Sequence, residues 1–113
     1  MNYLAIDLGA ESGRVILGGL REGRIAIEEI ARFPNTPIRD ASSLRWNFPD
    51  LIENIRAGVN NAAAHLAKTN QSLASISADS WGVDYVFVDF EGNVQPRSEE
   101  HTSELQSPYV ISY

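Results

Sequence analysis

The sequence predicts an α/β fold of order β-β-β-α-β-β, and three observations carry that prediction. Short runs of strand-forming residues separated by glycine-bearing turns open the chain. An apolar stripe at helical spacing follows between Leu51 and Leu66. Two more apolar runs, residues 73–78 and 83–88, come after it.

Taken in order, residues 3–8 form an apolar run ended by Gly9, and residues 15–17 a second run stopped by Gly18 and Gly19. Ile25 and Ile27 alternate in a third, after the turn signal Glu22-Gly23. Three short strands with tight turns make an antiparallel meander. Residues 33–43 carry Pro34, Asn35, Pro37 and two serines and are expected to be loop. A helix entrance follows at residues 46–50, with Pro49 at the first helical position and Asp50 and Glu53 in the first turn. Leu51, Ile55, Val59, Ala62 and Leu66 then recur on one face, and the helix is expected to end near Lys68, Thr69 and Asn70. In residues 83–88, Val83, Tyr85 and Phe87 face one way and Val86 and Val88 the other. A strand apolar on both sides is a strand covered on both sides. Glu91, Gly92 and Asn93 make the next turn.

The 113 residues, 43% hydrophobic and 21% charged, have room for one core but not for two domains and a cleft between them. With no cysteine, disulfides and thiolate metal sites are excluded. The net charge of −6, without a run of Lys or Arg, excludes a nucleic-acid surface, which needs clustered cations. The N-terminus has no basic leader, and no apolar run reaches the roughly 18 residues of a membrane helix. A soluble, cytoplasmic protein is expected, with no membrane partner.

Two segments carry chemistry. The first, DLGAESGR at residues 7–14, joins a strand to a strand, unlike dinucleotide-binding and Walker loops, which open a helix. A hairpin with two glycines brings its amides close to an anion. Ser12 adds a hydroxyl and Arg14 a fixed positive charge that can grip phosphate oxygens. Asp7, at a strand end, is suited to holding Mg²⁺ through water. The same residues also describe an ordinary hairpin with a solvated Asp and Arg.

The second segment, DSWGVDYVFVD at residues 79–89, places two carboxylates, an indole and a glycine at a strand terminus. Aromatic faces stack on sugar C–H groups and carboxylates accept bonds from hydroxyls, so this is a candidate sugar site. The competing reading is a Trp that caps the core and an Asp that fixes the turn. His65, among alanines on the helix, is expected to be a surface residue and not a ligand, and Trp46 to be packing.

DLGAESGR resembles the first phosphate motif of the FGGY carbohydrate kinases, whose fold is the ribonuclease H-like fold of the actin-like ATPases. The resemblance implies that Ala10, Glu11, Ser12, Gly13 and Arg14 line an ATP site and that Asp7 sits near Mg²⁺. Many relatives have a small polar residue at position 11, so Glu11 is expected to point away or to offer only its amide. DSWGVDYVFVD resembles the rhamnulokinase form of its segment. That implies a ketose contact at Gly82, with Asp79, Trp81 and Asp84 as further candidates. Residues 1–96 then correspond to the start of the N-terminal domain of a kinase that phosphorylates a sugar such as L-rhamnulose. The general base lies outside this chain, which is expected to be inactive by itself. Two alternatives stay open: a family member for another sugar, and a non-enzymatic nucleotide switch of the actin and chaperone superfamily.

From Arg97 the character changes. RSEEHTSELQS resembles the conceptual translation of a short-read sequencing adapter, and ISY matches adapter text beyond a variable index spanning Pro108, Tyr109 and Val110. Residues 97–113 are therefore expected to be a non-native tail, and His101 with its neighbouring acids is not assembled into a site.

Overall fold

The computed structural model describes residues 1–39, 41, 44–80 and 87–93. The described residues fall into two compact units, 1–35 with 49–80 and 36–48 with 87–93.

The first unit is a mixed α/β layer pair. Strands β1 (Asn2–Leu8), β2 (Ser12–Arg21) and β3 (Arg24–Pro34) form the expected antiparallel meander, and β6 (Leu73–Asp79) adds parallel to β1, in the order β3-β2-β1-β6. The β2–β3 turn closes on two residues in the left-handed region, Glu22 at φ 52° and Gly23 at φ 76°, the twist that suits a two-residue hairpin. Both strands outrun their apolar runs. β2 continues through Gly18 and Gly19, because backbone pairing to β1 and β3 sustains it there. β3 continues to Pro34, so the expected loop begins later than its composition suggests. Between Val15 and Ile16 the register shifts, leaving Ile30 as an extra residue in β3: Val15 faces Ala31 and Ile16 faces Glu29.

Helix α1 (Phe48–Ala67) packs on one face of this sheet. Its first residue is Phe48 and Pro49 is its second. The orphan N–H groups of a helix extend through its first turn, so proline fits here too. Leu51, Ala62 and Leu66 are buried as the stripe predicts, and Gly58 joins them. A Cβ at Gly58 would collide with the Val15 side chain and touch Ala31 Cβ at 3.5 Å, so glycine here lets the helix backbone approach the sheet. Opposite it lie Leu4, Ile6, Val15 and Leu17, all buried. Full burial of a side chain such as Leu4 or Val15 stabilises by about 1.5–3 kcal/mol. The helix ends as expected: Asn70 turns left-handed at φ 53°, and Gln71 N–H donates to the Leu66 carbonyl at 2.9 Å. His65 is on the surface, 3.4 Å from Glu28 of β3.

In the second unit, β4 (Ile38–Arg39), within the expected loop, pairs with β5 (Leu44–Arg45) just after it, and Trp46 is buried as packing requires. Asp89 Oδ1 accepts from the Glu91 and Asn93 amides at 2.9 Å each, fixing the turn at Gly92, where φ is +87°. Of the expected strand at 83–88, residues 83–86 lie outside the described residues; Phe87 and Val88 are exposed. The expected tail, 97–113, also lies outside them. No helix among the described residues is long and apolar enough to cross a membrane.

Candidate functional site

Alternation along a strand sends successive side chains to opposite faces. With Leu4, Ile6, Val15 and Leu17 under the helix, Tyr3, Ala5, Asp7, Arg14 and Ile16 stand on the face the helix leaves open. The registers then set four charged residues in a row across the sheet. Arg32 of β3 is opposite Arg14 of β2, Arg14 is opposite Asp7 of β1, and Asp7 is opposite Asp79 of β6. Two cations are followed by two carboxylates. Asp7 and Asp79 lie at the carboxyl ends of neighbouring parallel strands, where α/β sheets commonly bind ligands.

Arg14 Nη2 contacts Asp7 Oδ2 at 2.7 Å, with the two side chains 27% and 44% exposed. Arg32 grips Glu29 through two bonds, at 3.0 and 2.7 Å, and this holds the Glu29 carboxyl below the usual range. Asp79 Oδ1 accepts from the Ser80 amide at 3.0 Å.

The β1–β2 turn adjoins this row. Ala10 and Glu11 are exposed at its tip, and Gly9 N–H closes it onto the Ser12 carbonyl at 3.0 Å. Gly13 is buried on the helix-covered face, where the ring of Phe33 occupies the place a Cβ would take. Its lack of a side chain therefore serves packing, and only its backbone can face a ligand. Asn35, which sequence reading treated as loop, is buried at 5% exposure and donates to both the Gly9 and Glu11 carbonyls at 2.9 Å. Nothing in the local sequence marks it, because the contact depends on β3 ending beside the start of β2.

The chain matches curated proteins along most of its length. It is 43% identical over 93 residues to the rhamnulokinase of Bacteroides thetaiotaomicron, covering 82% of this chain and 18% of that one. It is 36% identical over 90 residues to the rhamnulokinase of Ligilactobacillus salivarius, with coverage of 80% and 18%. With that of Bacillus subtilis it shares 34% over 93 residues, covering 82% and 18%. This chain is similar to rhamnulokinases. It spans about 18% of the length of these relatives. No family model matches it.

In this rhamnulokinase-like chain, the first motif is fully described: Asp7, Ala10, Glu11, Ser12, Gly13 and Arg14 meet at one end of the sheet. Of the second motif only Asp79 and Ser80 and the segment from Phe87 are described, while Trp81, Gly82 and Asp84 lie outside the described residues. An orphan tests whether the first motif suits the nucleotide and Mg²⁺ that it implies. Arg14 Nε is buried and has no hydrogen-bond partner among the described residues, although leaving a donor unsatisfied is costly. An anionic oxygen would supply the missing acceptor, and the half-exposed Asp7 carboxylate is an oxygen donor of the type Mg²⁺ prefers. The residues fit. A separate hollow of about 350 Å³, lined by Glu28, Glu29, Asn61, His65 and Lys68 among others, shares no residue with the turn.

Proposed function

We propose that this chain is the opening portion of a cytoplasmic, ATP-dependent carbohydrate kinase of the FGGY family, with a ribonuclease H-like sheet, which phosphorylates a ketose such as L-rhamnulose. The observation that carries the reading is the charged row beside the glycine turn, with a buried guanidinium nitrogen lacking an acceptor.

In this reading the amides of Ala10, Glu11, Ser12 and Gly13 and the Ser12 hydroxyl surround the nucleotide phosphates. Arg14 donates to a phosphate oxygen, which relieves its Nε. Asp7 holds Mg²⁺ through water, and the ion when bound neutralises charge on the phosphate oxygens. Glu11 contributes its amide and keeps its carboxylate in solvent. Asp79, in register with Asp7, and Asp84 accept bonds from sugar hydroxyls, Trp81 stacks on sugar C–H groups, and Gly82 contacts the ketose. The general base belongs to the longer protein, in keeping with relatives about five times this length. The chain alone is then inactive, and residues 97–113 contribute nothing to it.

A chimera tests this. Residues 1–96 replace the aligned stretch of the Bacteroides rhamnulokinase, and ATP-dependent phosphorylation of L-rhamnulose is assayed. Activity within about tenfold of the parent is expected, with none from the 113-residue chain. A folded chimera without sugar phosphorylation, or turnover by the chain alone, would overturn the reading.

A further inference from the structure

We propose that Asn35 is a positioning residue of the β1–β2 turn, fixing in advance the amides that receive the polyphosphate of a nucleoside triphosphate. The inference rests on the nucleotide reading above.

The placement begins with the sheet. Pro34, the last residue of β3, is opposite Ser12, the first of β2, so the next residue along β3 reaches the β1–β2 turn. Asn35 backbone N–H donates to the Glu11 carbonyl, and its Nδ2 donates across to the Gly9 carbonyl, both at 2.9 Å. At 5% exposure, these bonds are shielded from competing water. Among the described residues there is no cis peptide bond. In a trans peptide the carbonyl of one residue and the N–H of the next point in opposite directions. Holding the Gly9 carbonyl toward Asn35 therefore aims the Ala10 N–H away from Asn35, and holding the Glu11 carbonyl toward it aims the Ser12 N–H away as well. One residue thus sets two donors of one turn. The Ala10 and Glu11 amides donate to no backbone carbonyl among the described residues, so they are open to an anion.

The turn needs this support. Among the described residues its own closure is the Gly9–Ser12 bond, and Ala10 and Glu11 at its tip are exposed. Donors fixed before the anion arrives avoid the ordering cost that a mobile loop would incur on binding. Asn35 touches no ligand in this role. It acts through the turn.

The test uses the full 113-residue chain labelled with ¹⁵N and titrated with MgATP and, separately, with inorganic tripolyphosphate. In the unsubstituted chain the Ala10 and Ser12 amides and the Asn35 side-chain NH₂ should shift together with one shared Kd. Asn35→Ala removes the donor, and Asn35→Asp keeps the size but sets a carboxylate against the Gly9 carbonyl. Each should weaken MgATP binding about tenfold or more and move the Ala10 and Ser12 signals of the free protein, while those of β6 stay in place. A folded variant that binds within twofold of the unsubstituted chain overturns the proposal. So does an Asn35 NH₂ signal that stands still in the unsubstituted chain, a readout that survives even if both variants unfold. If no amide of residues 9–14 responds to MgATP at all, the nucleotide reading fails first and the role of Asn35 falls with it.

Discussion

The two faces of the four-stranded sheet are built from alternate residues of the same strands, yet they are organised on different principles. Under the helix stand Leu4, Ile6, Val15 and Leu17, with Gly13 and Gly58 marking where a ring and a helix come too close for a side chain. On the other face stand the row Arg32, Arg14, Asp7 and Asp79 and the exposed Tyr3, Ile25 and Ile27. The first face tolerates little change of volume and holds no charge at its centre. The second has space, ion pairs and an unsatisfied donor. On the nucleotide reading proposed above, stability and binding are then separable by face.

The largest effect is expected at Gly58. Alanine there raises helix propensity by about 1 kcal/mol. Even so, Gly58→Ala should lower stability in urea unfolding by about 1–3 kcal/mol, because its Cβ meets fully buried Val15. A stabilised variant would show that the helix can lift off the sheet freely. At Arg14 the order of effects reverses. Arg14→Gln should leave stability within about 1 kcal/mol, since its ion pair is partly exposed. MgATP binding, read by calorimetry, should nevertheless fall about tenfold or more, as expected for a lost charge-assisted bond. Equal losses in both measurements would erase the distinction between the faces. The smallest effect concerns Glu29, whose carboxyl is held low by the Arg32 hydrogen bond. Its contribution is present above the unfolded value near 4.5 and is lost as pH falls through the lower folded value. A ¹³C titration should place the Glu29 midpoint below 4.5, and Arg32→Gln should return it there.

Much of this architecture was legible from periodicity. Leu51, Ala62 and Leu66 announced the buried face of the helix, Glu22-Gly23 the tight turn, and Asp7 to Arg14 a strand-to-strand turn. Local pattern did not reveal what depends on neighbours. The pairing of β2 carries it past Gly18 and Gly19, which composition treats as a stop. Gly58 is not among the residues of the apolar stripe, yet it is where the helix backbone comes close to Val15 and Ala31 of the sheet. Asn35 sat in a stretch rich in proline and serine, and its partners lie 26 and 24 residues earlier in the chain, out of reach of any windowed pattern.

The extra residue in β3 carries a consequence for the whole strand. Ile25, Ile27, Ala31 and Phe33 all occupy odd positions, so simple alternation would put them on one surface. Ile30 interrupts that parity: Ala31 and Phe33 keep to the helix, whereas Ile25 and Ile27 come out opposite Leu20 and Gly18 on the far surface. The bulge acts like a frameshift in the pleat, dividing one hydrophobic series between two layers. It also sets Glu28 opposite Leu17, on the helix-covered face and within reach of His65, where an uninterrupted strand would have placed Glu29.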